Sequence, residues 1–327
     1  MTANRRQLLT GAGAAAAALT LPRGALAADD YPNKPIKIIV AAASGGPTDV
    51  PARLASEIIK TRLGQAAVVE NRPGAGGAIG ARAGAAAPPD GYTLFMGNTS
   101  TFAVIPAVSR SAGYDPVKDF VPIIRITEGF QILVVHPSSP WKTVKEFVDY
   151  TKANPGKINY GHQGKANTGH LLGELMMLKA GIKMTAVPYR GSAPAIKDLL
   201  AGTIDMVPDY LLANKGNIDA GKLKFIAVAS QERLKEYSKV PTVAETLPGV
   251  VSITWMAVSA PPKTPAAITK RISDEIGKGF KEADMQEKIR KLLADPLGST
   301  PEQMRDMIKQ SLDTWEPVIK AAKISID

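Results

Sequence analysis

The chain has 327 residues, with 40 Lys and Arg against 30 Asp and Glu for a formal net charge of +10, and it contains no cysteine. Without thiols there are no disulfides, no thiolate metal sites and no cysteine nucleophile, so the core must stand on packing alone. Lys and Arg are scattered, with no basic run or interleaved aromatics, which speaks against nucleic acid; the positive balance suits steering of small anions.

The chain opens on Asn4-Arg5-Arg6-Gln7-Leu8-Leu9, an Ala/Gly-rich stretch to Leu21, and the small-x-small site Ala25-Leu26-Ala27. This order reads as a cleaved export signal over 1–27. The paired arginines, Arg23 and the weak hydrophobicity favour the twin-arginine route over the general secretory one, and both routes end in the periplasm. The apolar part is too short and too Ala-rich for a stable membrane span. Cleavage after Ala27 leaves 300 residues with a net charge of +7.

The mature chain alternates strands, glycine-bearing turns and helices. Ile36 to Val40 is a β-branched run broken by Ala43-Ser44-Gly45-Gly46, and Val50, Leu54 and Ile58 then share one helical face. A strand from Ala67 to Glu70 leads through Asn71-Arg72-Pro73-Gly74 into an Ala-rich helix ending near Ala87, and Pro88-Pro89-Asp90-Gly91 turns into a strand from Tyr92 to Met96. Further on, Gln131 to Val135 reads as a strand, Thr143 to Glu146 as a capping box, and Lys157 to Tyr160 as a strand. A helix from Thr168 to Ala180, a strand from Thr185 to Val187, a helix from Ser192 to Ala201, and strands from Ile204 to Val207 and Lys224 to Ala229 follow. A strand from Ser252 to Ser259 leads to a helical tail, with caps expected at Thr264-Pro265 and Thr300-Pro301. Met304, Ile308, Leu312, Trp315 and Ile319 form one apolar stripe of its last helix.

Alternating βα units predict an α/β fold with mostly parallel sheets flanked by helices. The length exceeds one comfortable sheet and no low-complexity linker divides it, so two lobes joined by crossing strands fit best. The crossings fall near Ile124 to Gln131 and Val250 to Trp255, giving a first lobe of 28–127 with 253–327 and a second of 128–252.

Catalytic signatures are sparse. The histidines are His136, His162 and His170, and the last two lie eight apart across a Gly-rich turn, a spacing that fits no helical metal site. No nucleophile elbow or phosphate-binding loop occurs, and Gly74 to Gly80 misses the dinucleotide fingerprint by Ile79 and one residue of spacing. No metal and no cofactor is expected. Three segments instead combine small residues, hydroxyls and a helix start after a strand: Ser44-Gly45-Gly46-Pro47-Thr48-Asp49, Asn98-Thr99-Ser100-Thr101, and Gly161 to His170. Backbone N–H groups and the macrodipole at a helix start favour a carboxylate, and ligands of open α/β sheets bind at the carboxyl ends of strands.

Tyr31 to Ile36, Val69-Glu70-Asn71-Arg72-Pro73-Gly74, Pro89 to Leu94, Tyr114 to Phe120, Val187-Pro188-Tyr189-Arg190-Gly191-Ser192, Ala220 to Leu223 and Val240 to Glu245 together resemble the Bug family, the extracytoplasmic receptors of tripartite tricarboxylate transporters. The resemblance spans essentially the whole mature length. It implies a two-lobed periplasmic binding protein (a Venus flytrap, type II-like) with two crossover strands as hinge, no cofactor, no catalysis, and delivery of a small organic anion to integral membrane transporter subunits. A monomer is expected.

By position, the resemblance carries the first-lobe carboxylate site to Ser44, Gly45, Gly46, Thr48, Asp49, Thr99, Ser100 and Thr101. The second lobe contributes His162, Gln163, Lys165, Ala166, Asn167, Thr168, Tyr189, Arg190 and Asp209. Tyr189 reads equally as packing, Arg190 as a solvated rim, and Asp209 as a helix cap. Two departures bear on the ligand. Ala42 stands where the family usually carries an aromatic, which predicts a larger pocket, and the second-lobe loop carries His162 and Lys165 among residues usually small. Those two are expected to meet a distal carboxylate of an extended or aromatic dicarboxylate. A periplasmic partner of a sensor kinase is the alternative reading. A lyase or isomerase, with His162 as general base, is the remote one.

Overall fold

A computed structural model of the chain describes residues 31–326 apart from 190, 292, 293 and 297. The export segment 1–27 and Arg190 therefore lie outside the described residues. β1 (Ile36–Val40) pairs in parallel with β2 (Ala67–Asn71) on one side and β3 (Thr93–Asn98) on the other. Its alternating β-branched side chains serve two cores: Ile36, Ile38 and Val40 pack against α1 (Asp49–Leu63), while Ile39 lies in a separate cluster with Phe95 and Phe102. α2 (Ala78–Ala85) crosses between β2 and β3, and a short α3 (Ile105–Val108) follows β3.

β4 (Val121–Val135) runs through both halves of the molecule as one 15-residue strand. From Val121 to Phe130 it pairs antiparallel with β9 (Ile253–Ala260), and from Gln131 to Val135 with β7 (Met206–Tyr210). The sequence analysis placed a crossing strand near Ile124 to Gln131 and a separate strand from Gln131 to Val135; Arg125, Glu128, Gly129 and Gln131 break the alternation where the partner changes and hide the continuity. The second half carries α4 (Val144–Ala153), β5 (Asn159–His162), α5 (Thr168–Ala180), β6 (Thr185–Pro188), α6 (Ser192–Leu200), α7 (Leu211–Asp219) and β8 (Lys224–Val228). There β5 is parallel to both β6 and β7, and β8 flanks β4 on its other side. Each half is thus a mostly parallel sheet with one antiparallel crossing strand, β9 in the first and β4 in the second.

After β9 come α8 (Ala266–Gly279), α9 (Ala283–Arg290), β10 (Ala294–Pro296), which pairs antiparallel with β4, and α10 (Pro301–Ala321). Thr300 caps α10 in a full capping box with Gln303. Thr264 does not cap α8. Its hydroxyl donates to Pro261 O at 2.8 Å, and the helix starts after Pro265, whose extended ψ of 136° makes it the half-in residue. No helix among the described residues is long and apolar enough to cross a membrane.

Candidate functional site

β3, β5 and β7 end on one crevice between the two halves, and the loop after β1 reaches a smaller cleft instead. The crevice encloses about 550 Å³ and takes lining from Asn98 and Ser100 on one side and Gln163 to Thr168 on the other, with Tyr210 and Thr254 beside the crossing strands. Tyr210 also borders the smaller, mainly apolar cleft of about 200 Å³, lined by Gly45, Gly46, Val50, Phe130 and Leu212 among others.

The loops that form these walls are fixed from beneath. After β1, the Asp49 carboxylate is wholly buried and turned back into its own loop, where one oxygen accepts from Gly45 N–H and Arg53 Nε, each at 2.8 Å. The other accepts from Asn71 Nδ2 at 2.8 Å and Arg53 Nη2 at 3.2 Å. Burial opposes ionisation, but these donors hold the carboxyl below the usual range. Thr48 accepts from Asn98 Nδ2 at 2.9 Å, tying the first loop to the second. Within the second loop the Thr101 hydroxyl accepts from Asn98 N–H at 2.9 Å, and Thr99 accepts from Trp255 N–H at 3.0 Å. The structure thus brings Ser100 to the large crevice and Gly45 and Gly46 to the small cleft, whereas Thr48, Asp49, Thr99 and Thr101 brace the loops. Ser44 is exposed and accepts from Arg53 Nη2 at 3.2 Å.

In the second half, Gln163, Lys165, Ala166, Asn167 and Thr168 all line the large crevice. Asn167 caps α5 by accepting from Gly169 N–H at 3.0 Å. Ala166 holds φ 59°, a left-handed conformation unfavourable for a residue with a Cβ, and its N–H donates to His170 Nδ1 at 3.1 Å. Ala75 on the facing wall also has a positive φ, 47°. Backbone strain of this kind gathers where a surrounding structure fixes a binding loop.

His162 departs from expectation. It is 2 % exposed, stacks on His170 with ring centroids 4.3 Å apart, and its Nδ1 lies 2.9 Å from Gly164 O. Burial and the neighbouring His170 push its pKa down to about 4. It lies beneath the loop as a neutral packing group and is not placed to meet a distal carboxylate. Below it Glu174 accepts from Tyr160 OH at 2.9 Å and faces His170 Nε2 at 3.5 Å.

Asp209 is wholly buried, taking hydrogen bonds from Ser192, from Tyr210 N–H at 2.8 Å and from Asn214 Nδ2 at 3.0 Å. Burial raises its pKa against those donors. It joins β7 to the starts of α6 and α7 and does not line the crevice. Tyr189 donates to Asp198 at 2.7 Å and packs against the apolar cluster under α6, its packing alternative. Ala42 packs at the edge of the first-half core and lines neither cavity.

Three groups escaped the sequence analysis. Tyr210 OH lies 2.9 Å from Thr168 Oγ1 and 3.0 Å from Thr254 Oγ1, and Gln131, wholly buried, lies 2.8 Å from the hydroxyls of both Thr168 and Ser252. This chain links the start of α5 to both crossing segments. Arg82 of α2 lines the crevice from an Ala-rich helix that carries no local functional signal. Among the described residues no cluster of three or more metal-ligating side chains occurs.

A two-lobed clamp with capped loops lining a polar crevice is the architecture of a solute-binding receptor. This chain belongs to the tripartite tricarboxylate transporter family of receptors, whose family model matches residues 51–324. BugT of Bordetella pertussis is 33% identical over 297 residues, covering 90% of this chain and 91% of the relative. A solved structure of R. palustris Rpa4515 with adipate is 35% identical, with a TM-score of 0.79, covering 90% of this chain and 99% of that one. MatC (Rpa3494) from Rhodopseudomonas palustris with bound malate is 29% identical, with a TM-score of 0.74, covering 88% and 100%. The chain is accordingly a periplasmic solute-binding receptor of a family that works with membrane transporters.

Proposed function

We propose that the chain captures a small organic carboxylate, extended dicarboxylates included, by closing its two lobes over the crevice, and hands it unchanged to the membrane subunits of a tripartite transporter. One observation carries the reading. The crevice is lined by amides, hydroxyls and two cationic side chains, Arg82 and Lys165, with no acidic side chain among its described lining residues. Such a surface favours an anion, and capped loops at strand carboxyl ends offer it preorganised donors. The carboxylates carried by Rpa4515 and MatC, adipate and malate, support the same chemistry. His162 is buried and neutral, which argues against its use as a general base and so against a lyase or isomerase. The lobes we assign are 28–127 with 253–327 and 128–252, acting as a monomer exported by the twin-arginine route.

The test is a thermal-shift panel of mono-, di- and tricarboxylates, with neutral sugars and organic cations as controls. A true ligand at a hundred times its Kd stabilises by about 2.7 kcal/mol. Stabilisation by sugars or cations and by none of the acids overturns the proposal.

A further inference from the structure

We infer that Arg82 is a specificity-determining residue, which, with Lys165 of the opposite lobe, reads the second carboxylate of a bifunctional ligand. The inference rests on the carboxylate reading above and assigns its far end. Arg82 rises from α2 of the first lobe and Lys165 from the β5–α5 loop of the second, and both line the same crevice. Both side chains are exposed to it, and no salt bridge to an acid engages either among the described residues. Elsewhere, arginines such as Arg53, Arg62 and Arg233 are paired with carboxylates.

The guanidinium of Arg82 is nonetheless positioned. Its Nη1 donates to Ala112 O at 3.0 Å and Ser111 O at 3.4 Å. Carbonyls pin the group without neutralising it, and the Nε–Nη2 edge is left for a planar, bidentate carboxylate. The lining therefore falls into two chemistries. Asn98, Ser100, Thr168, Tyr210 and Thr254 are neutral donors and acceptors gathered near the crossing strands. Arg82, beside the Ser109–Ala112 segment, and Lys165, on the opposite lobe, supply full positive charge.

A monocarboxylate is hydrogen-bonded by the neutral group and meets the cations only through their general field, whereas an α,ω-dicarboxylate engages both directly. Because the cations ride on different lobes, the second carboxylate is also the group that favours the closed form. Lys165 tolerates replacement by its position on an exposed loop, and Arg82 by its place on an exposed helix face.

The experiment is calorimetry on the wild type, Arg82→Gln, Arg82→Lys and Lys165→Gln. The probes are α,ω-dicarboxylates of four to eight carbons, phthalate and terephthalate, each beside its matched monocarboxylate. Expected are a wild-type preference of tenfold or more for at least one dicarboxylate over its match, and loss of most of that preference in Arg82→Gln and Lys165→Gln. Monocarboxylate affinity falls by a clearly smaller factor, and Arg82→Lys retains part of the preference. Equal loss for both ligand types in Arg82→Gln, or a wild type without the preference, overturns the role of Arg82 and leaves the carboxylate receptor standing on its monocarboxylates. Binding of no acid at all overturns the receptor reading itself. Ligand-free thermal midpoints of the variants, expected within 2 °C of wild type by the surface-substitution rule, separate a lost contact from a lost fold.

Discussion

Replacing Asp49 by Asn tests whether the first loop is held by a buried charge or merely by its glycines. The two carboxylate oxygens each accept two donors: Gly45 N–H and Arg53 Nε on one, Asn71 Nδ2 and Arg53 Nη2 on the other. Whichever way an asparagine amide turns, its NH₂ faces two donors, so two charge-assisted hydrogen bonds are lost in either orientation. A hydrogen bond to a charged group contributes about 1.5–3 kcal/mol. One of each lost pair involves Arg53, which is 54% exposed and contributes little after solvent screening. The expected cost is therefore about 2–4 kcal/mol, or roughly 3–6 °C in Tm for a chain of this size. Because the folded pKa is depressed, the carboxylate's contribution is present above the unfolded value of about 3.9 and fades as pH falls through the lower folded value. Thermal melts from pH 7 down to pH 3 should therefore show the gap between wild type and Asp49→Asn narrowing below about pH 4. A variant melting within 2 °C of wild type at pH 7, where the rule above requires several degrees, refutes the account of the loop.

His162 carries linkage of the same sign in a higher pH window. Its folded pKa, near 4, lies below the ordinary value of 6.5, so the unfolded chain takes up a proton first and stability falls as pH drops from about 6.5 toward 4. His162→Gln should flatten stability against pH in that window, and an NMR titration of the wild-type ring showing a midpoint above 6 would contradict its burial as a neutral group. Gln131→Leu removes the amide that lies 2.8 Å from both Ser252 and Thr168 and leaves the 1 %-exposed Ser252 hydroxyl without it. Urea unfolding should register a loss of about 1–3 kcal/mol; a change below about 0.5 kcal/mol, the size of an ordinary surface substitution, would remove the network from the account of the crossing.

Periodicity and punctuation made the βα alternation legible. α5 was bounded correctly at Thr168 and Ala180 because Asn167 caps it and Gly181 ends it at φ 61°. α7 went unseen because Leu211-Leu212-Ala213-Asn214-Lys215-Gly216 carries no amphipathic period and has a glycine in its interior. The three strand-end loops were picked out by their glycines and hydroxyls, since those signals are local; two of them line the large crevice and the first lines the smaller cleft. Side-chain direction is not local. Asp49 and His162 sit in the right loops but turn inward, the first to join Gly45 to Asn71 and Arg53, the second to stack on His170. Arg82 was missed because the fold alone brings the middle of an alanine-rich helix beside a loop more than eighty residues away in the chain.

The two strands that cross between the lobes are not their sole mechanical link. Met304 and Ile308 near the start of α10 pack with Phe102 and Trp255, whereas Trp315, Val318 and Ile319 further along pack into the cluster that holds Leu171 and Leu175 of α5. One helix, α10, is thus seated in two apolar clusters. Separation of the lobes has to peel Trp315 from its seat or carry the helix along, so the angle of opening is limited by apolar adhesion at that end.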